Sequence, residues 1–149
     1  MITALDLLIE QPFTTGIPQQ FLARMAHYSH RVSFRAGTRI FSEGGRAGHF
    51  WLIRDGFVEL DANLPARGSV TVDTLGPGQL LGWSWMFAPY RWHFGATAAT
   101  PVLAIGFDAP GIRSLCDAEP EFGLALTRRL SEVLVERMQA TRMRLLEPA

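Results

Sequence analysis

The sequence contains no lysine. Its fourteen basic residues are all arginine, set against fourteen acidic residues for a formal net charge of zero. Without a basic excess there is no overall field to draw the chain onto a polyanion by counterion release, which argues against bulk nucleic-acid binding. There is a single cysteine, Cys116, so an internal disulfide framework and any multi-cysteine zinc or iron–sulfur site are excluded. The cytoplasm is the expected compartment. No apolar run approaches the roughly 20 residues that a bilayer-spanning helix needs. Residues 1–11 carry Asp6 and Glu10 but no basic residue ahead of their short apolar run, unlike a secretory signal. We expect no membrane association.

What is present suits one compact domain covering residues 1–149, with 48% hydrophobic residues to build its core. Phe21, Leu22, Met25 and Ala26 fall at helical spacing after Pro18, which predicts a helix over 18–29. From 32 to 107 the pattern changes to short apolar or alternating runs at 32–35, 38–41, 50–54, 57–60, 70–75, 95–99 and 102–107. Glycine-bearing turns separate them, and Asp55-Gly56 reads as a tight hairpin. No βαβ unit is visible. After Pro110 the pattern turns helical, first over 111–116 and then over about 121–146, with Leu126, Leu130, Leu134, Met138 and Leu145 near one face. The fold class is therefore mainly β with flanking α: an antiparallel, jelly-roll-like β-roll between a short N-terminal and a long C-terminal helix.

Three glycine-bearing segments carry a more specific signal. They are Phe34-Arg35-Ala36-Gly37-Thr38-Arg39-Ile40-Phe41-Ser42-Glu43-Gly44, Phe50-Trp51-Leu52-Ile53-Arg54-Asp55-Gly56-Phe57-Val58 and Leu75-Gly76-Pro77-Gly78-Gln79-Leu80-Leu81-Gly82. In type, spacing and order they resemble the cyclic-nucleotide-binding domain family, over roughly residues 20–145. The resemblance implies a ligand-sensing domain with a phosphate-binding cassette after the third segment. There, helix N–H groups and an arginine hold the cyclic phosphate, and a glutamate holds the ribose hydroxyl. Gly82 matches the family glycine, but Trp83 stands where the glutamate belongs, and the family arginine falls at about Trp92.

Arg91 is one residue away and is either the phosphate ligand, with Ser84 donating its hydroxyl and the N–H groups of Trp83, Ser84 and Trp85 forming an anion nest, or a solvated surface arginine. Trp92 and His93 complete the expected site. Trp83, Trp85 and Trp92 can stack a planar ligand or fill the pocket themselves. Cyclic AMP or cyclic GMP is the ligand that the resemblance implies, and no cofactor is required. Loss of the carboxylate leaves a ribose hydroxyl without an acceptor, at a cost of roughly 1–3 kcal/mol. The alternative is a degenerate module that serves only in dimerisation or docking.

Catalysis is not expected. A metal-binding cupin needs clustered histidines, yet His49 has no second histidine two residues on, and His27 and His30 share a helical face without a further ligand. Neither a nucleophile elbow nor a phosphate-cleaving Gly-Lys-Ser/Thr loop is present. Cys116 lies in an apolar segment and reads as buried and inert. In the C-terminal helix Arg128, Arg129, Arg137, Arg142 and Arg144 alternate with Glu132 and Glu136, which predicts a solvated face. Its apolar stripe either packs on the roll or joins two copies in a homodimer. With Pro148 ending the helix at the end of the chain, direct DNA binding is not expected.

Overall fold

The computed structural model describes residues 1–146. Two helices come first, α1 (Ala4–Ile9) and α2 (Gln19–Ala26). Eight strands follow: β1 (Ser29–Phe34), β2 (Arg39–Phe41), β3 (His49–Asp55), β4 (Val58–Leu64), β5 (Gly68–Leu75), β6 (Leu80–Leu81), β7 (Gly95–Ala98) and β8 (Val102–Asp108). Helices α3 (Ala109–Ala118) and α4 (Pro120–Leu146) close the described chain. The expected helix at 18–29 is shorter than its periodicity suggested, because Ser29 already pairs with Phe107 in a ladder. His30 is therefore a strand residue, and the helical face expected for His27 and His30 does not exist. Helix α1 escaped the sequence reading; its cap, Thr3 hydrogen-bonded to Asp6 in a reciprocal box, was the available signal. The stop expected at Pro148 lies outside the described residues.

The strands form two four-stranded antiparallel sheets, β1-β8-β3-β6 and β2-β7-β4-β5. Consecutive strands change sheet at every step except β4 to β5, so most turns are corners of the roll. The Asp55-Gly56 hairpin expected from the sequence is one of these corners: β3 pairs with β6 and β8, whereas β4 pairs with β5 and β7. A positive-φ glycine permits either a hairpin or a sheet-switching bend, and local sequence does not distinguish them. Gly56 has φ +89°, and the corner formed by Thr100, Pro101 and Val102 packs directly over it.

Strand β3 is covered on both faces. Phe50, Trp51, Leu52 and Ile53 are all buried, which explains a continuous apolar run where a one-sided strand would alternate. Trp51 stacks on Phe41 of the opposite sheet at 5.8 Å. Alternation sends Phe50 to the other face, where its ring lies 4.2 Å from Trp85 and 4.8 Å from Phe107. Helix α4 packs through Phe122, Leu126 and Leu130, all fully buried, and Phe122 meets Phe21 of α2 at 5.7 Å.

The solvated arginine face expected for α4 is only partly present. Arg129 pairs with Glu132, but it also donates to Phe13 O at 2.8 Å and Pro12 O at 3.0 Å. Arg137 donates to Leu80 O, and Arg144 to Val72 O at 3.0 Å. A guanidinium presents five donors on a long stem, so arginines on a helix flank reach the carbonyls of neighbouring elements. Three of them fasten α4 to the N-terminal segment, β6 and β5.

Candidate functional site

The cassette runs from Gly82 to Phe94, joining β6 in one sheet to β7 in the other. It opens with a 3-10 turn over Ser84–Met86. Gly82 has φ +95°, and a Cβ there would stand 2.8 Å from the Trp92 ring, so glycine is needed for both conformation and close approach. Trp92 is buried and stacks on Phe41 at 3.8 Å. Trp85 is fully buried, its indole N–H donating to Gly82 O at 3.2 Å. Trp83 stacks on His93 at 4.8 Å, and His93 Nδ1 lies 2.9 Å from the Ser84 hydroxyl.

The structure thus gathers Gly82, Trp83, Ser84, Trp85, Trp92 and His93, but largely against one another. Arg91 does not join them. It is exposed and held by a backbone bridge to Arg46. The space remaining between Trp92, Trp83, Phe41 and Leu60 is about 10 Å³, roughly one water-sized sphere. A cyclic nucleotide does not fit there beside the Trp92 indole. Of the two roles open to the aromatic rings, stacking a ligand or filling the pocket, Trp92 performs the second.

A larger cleft of about 620 Å³ lies next to it, between the second sheet and α4. Leu60, Val72, Trp83 and Phe94 line it from the roll; Leu134, Met138 and Leu145 line it from the helix. Its charged groups are Asp73, Arg137 and Arg144. Arg144 is 3.7 Å from Asp73. The Arg137 guanidinium borders both this cleft and the small cassette cavity, and burial pulls its pKa down, opposed by the charges of Asp73 and Glu136. Among the described residues no carboxylate reaches Arg137 at ion-pairing distance. The sequence places its candidate cation, Arg91, inside the cassette and gives no such place to Arg137. The available signal was an arginine between Leu134 and Met138 of the apolar stripe.

Cys116 is half-buried, and its thiol is pushed up to about 11, mainly by burial and then by the Asp117 charge. Only the thiolate is nucleophilic. At pH 8 its reaction with iodoacetamide should be at least about tenfold slower than that of an ordinary protein thiol of pKa about 9, the smaller thiolate fraction being partly offset by the greater nucleophilicity of a more basic thiolate. Labelling at an unhindered rate in the folded protein would contradict that burial.

The two-layer roll and the long helix beside it thus leave between them a cleft of small-molecule size. The sequence pattern of cyclic nucleotide-binding domains matches residues 31–119, and the chain belongs to that family. The CRP-like cAMP-activated global transcriptional regulators of two Mycobacterium tuberculosis strains are each 24% identical over 136 residues. That match takes in 91% of this chain but only 59% of theirs. Among solved structures, a protein from Geobacter metallireducens assigned to the cyclic nucleotide-binding class superimposes with TM-score 0.82 at 25% identity, covering 93% of this chain and 99% of that one. The Thermus thermophilus catabolite activator protein gives 0.72 at 20% identity, covering 91% and 62%; at that identity the likeness is one of fold. The family and these relatives are regulatory binding proteins, not enzymes. No helix among the described residues is long and apolar enough to cross a membrane.

Proposed function

We propose that this domain senses a small anionic ligand in the cleft between the roll and α4, and reports its presence through that helix. The observation that supports this most is Arg137, a half-buried cation of α4 that donates to the neutral Leu80 carbonyl and that no carboxylate among the described residues reaches at ion-pairing distance. A charge partly withdrawn from water, with Asp73 and Glu136 acting on it only at longer range, is costly, and an incoming anion offsets that cost. Because the anion would touch the helix and the roll together, its affinity depends on how the two are placed, which is the requirement for shifting a population.

The Mycobacterium tuberculosis relatives are cAMP-activated by name, so cyclic AMP and cyclic GMP are the first ligands to try. Pairing with a second copy is supported by Leu124, Val135 and Leu146, exposed at eleven-residue spacing and so on one side of α4. Balanced charge supports signalling through a partner protein rather than directly to a duplex. The cytoplasm is the proposed location.

Amide hydrogen exchange provides the test. A ligand that binds, whether cyclic AMP, cyclic GMP or dodecanoate, should slow exchange over 133–146 about tenfold. A bound ligand that leaves that segment unchanged would defeat the proposal. The non-binding docking module remains the second reading, supported by Trp92 filling the cassette; it requires that calorimetry show no heat with any of the three.

A further inference from the structure

We propose that the ligand of the roll–helix cleft is a carboxylate with an apolar, carbon-rich body, bound at its charged end by Arg137. This inference rests on the ligand-sensing reading and narrows it to a chemical class.

Charge sets the first constraint. The cleft holds two guanidiniums, Arg137 and Arg144, and one carboxylate, Asp73. Asp73 is already engaged: Oδ1 accepts from Thr74 N at 2.8 Å and lies 3.7 Å from Arg144. Arg144 also donates to Val72 O and Thr141 Oγ1. The lining therefore carries one more cation than anion, with Asp73 and Glu136 acting on Arg137 only at longer range, and that excess matches a monoanion. A phosphate monoester, with a charge near −2 at neutral pH, would leave one negative charge uncompensated.

The body is constrained by the walls. Trp83 and Phe94 on the roll and Leu134, Met138 and Leu145 on the helix surround the remaining volume. Apolar walls reward carbon and penalise unpaired heteroatoms. A nucleotide brings several ribose hydroxyls and base nitrogens, but the neutral polar groups on this wall are few: the Thr141 hydroxyl, which accepts from Arg144, and the Trp83 indole N–H. The one carboxylate on this wall, Asp73, has Oδ1 engaged and only Oδ2 left to accept a hydroxyl. An alkyl or aryl carboxylate leaves nothing unpaired, and its head suits the planar fork of a guanidinium. About 620 Å³ is also a volume typical for a ligand of this size.

Dodecanoate and dodecan-1-ol separate charge from hydrophobic contact, because they share a chain and differ in the head. Titration calorimetry on the full chain should give dodecanoate an affinity at least about tenfold higher than dodecan-1-ol, the worth of a charge-assisted hydrogen bond. Arg137→Met should abolish that difference. If Arg137→Met fails to fold, the exposed position Met138 decides: Met138→Glu should weaken dodecanoate at least about tenfold more than Met138→Gln. Equal affinities for the acid and the alcohol, or indifference to Met138→Glu, would overturn the carboxylate assignment. Binding of cyclic AMP without binding of dodecanoate would overturn it too while leaving the sensing role intact. If none of the three binds, both proposals fall.

Discussion

Replacing Gly56 by alanine should cost at least about 4 kcal/mol, enough to threaten the whole stability of a domain this size. Two effects combine at this corner. The backbone sits at φ +89°, where an L-residue with a Cβ is strained. The Cβ would also be driven into the Pro101 carbonyl oxygen, with Thr100 Oγ1 and Val102 Cα each 3.0 Å away. The obstacles are mostly backbone, and the Phe57 N–H is itself bonded to Thr100 Oγ1 at 3.0 Å. Relief therefore requires two sheet-switching corners to separate. Gly37→Ala is the internal comparison: φ is +85° but nothing lies within 4 Å of its Cβ, so it should cost only about 1 kcal/mol. Urea unfolding of both variants measures the difference, and equal midpoints would show that packing over Gly56 contributes nothing.

Trp92→Ala should cost about 3–5 kcal/mol, the range for emptying a large buried aromatic site. Trp92 loses its stack on Phe41 at 3.8 Å and its contact with Trp51 at 6.2 Å, and the surrounding sheets cannot close over the void. Gly82 approaches this indole closely, and the Trp92 backbone exchanges hydrogen bonds with Gly44 and Gly45 at 2.8 Å, so the main chain is expected to hold its path. The variant should consequently gain an apolar cavity while keeping its strand content. Circular dichroism with urea unfolding reads both. A loss below about 1 kcal/mol would mean that the indole is not a structural filler, and would reopen the cassette as a ligand site.

The difference between what the sequence disclosed and what it concealed follows the range of the interactions. The apolar runs, their glycine punctuation and the periodicity of α4 are local, and they were read correctly as a roll followed by a long helix. The Asp55-Gly56 bend was misassigned because a turn residue reports φ, not which strands lie beside one another. Glu132 and Glu136 stand at pairing distance along the helix, so the pattern predicts a solvated face for the α4 arginines, from which Arg129, Arg137 and Arg144 depart. Their acceptors, the carbonyls of Pro12, Phe13, Val72 and Leu80, are distant in sequence and leave no mark in side-chain pattern.

Composition, periodicity and the three glycine segments determined by themselves the class of fold and the family, along with the aromatic character of the cassette. Packing of the folded chain puts Trp92 in the cassette, leaves Arg91 exposed, and brings the Arg137 cation to the cleft from the far end of the sequence. The physical reason is that strand propensity and turn chemistry act over a few residues. Which side chain fills a cavity depends instead on surfaces that meet only after two sheets and a helix have packed together.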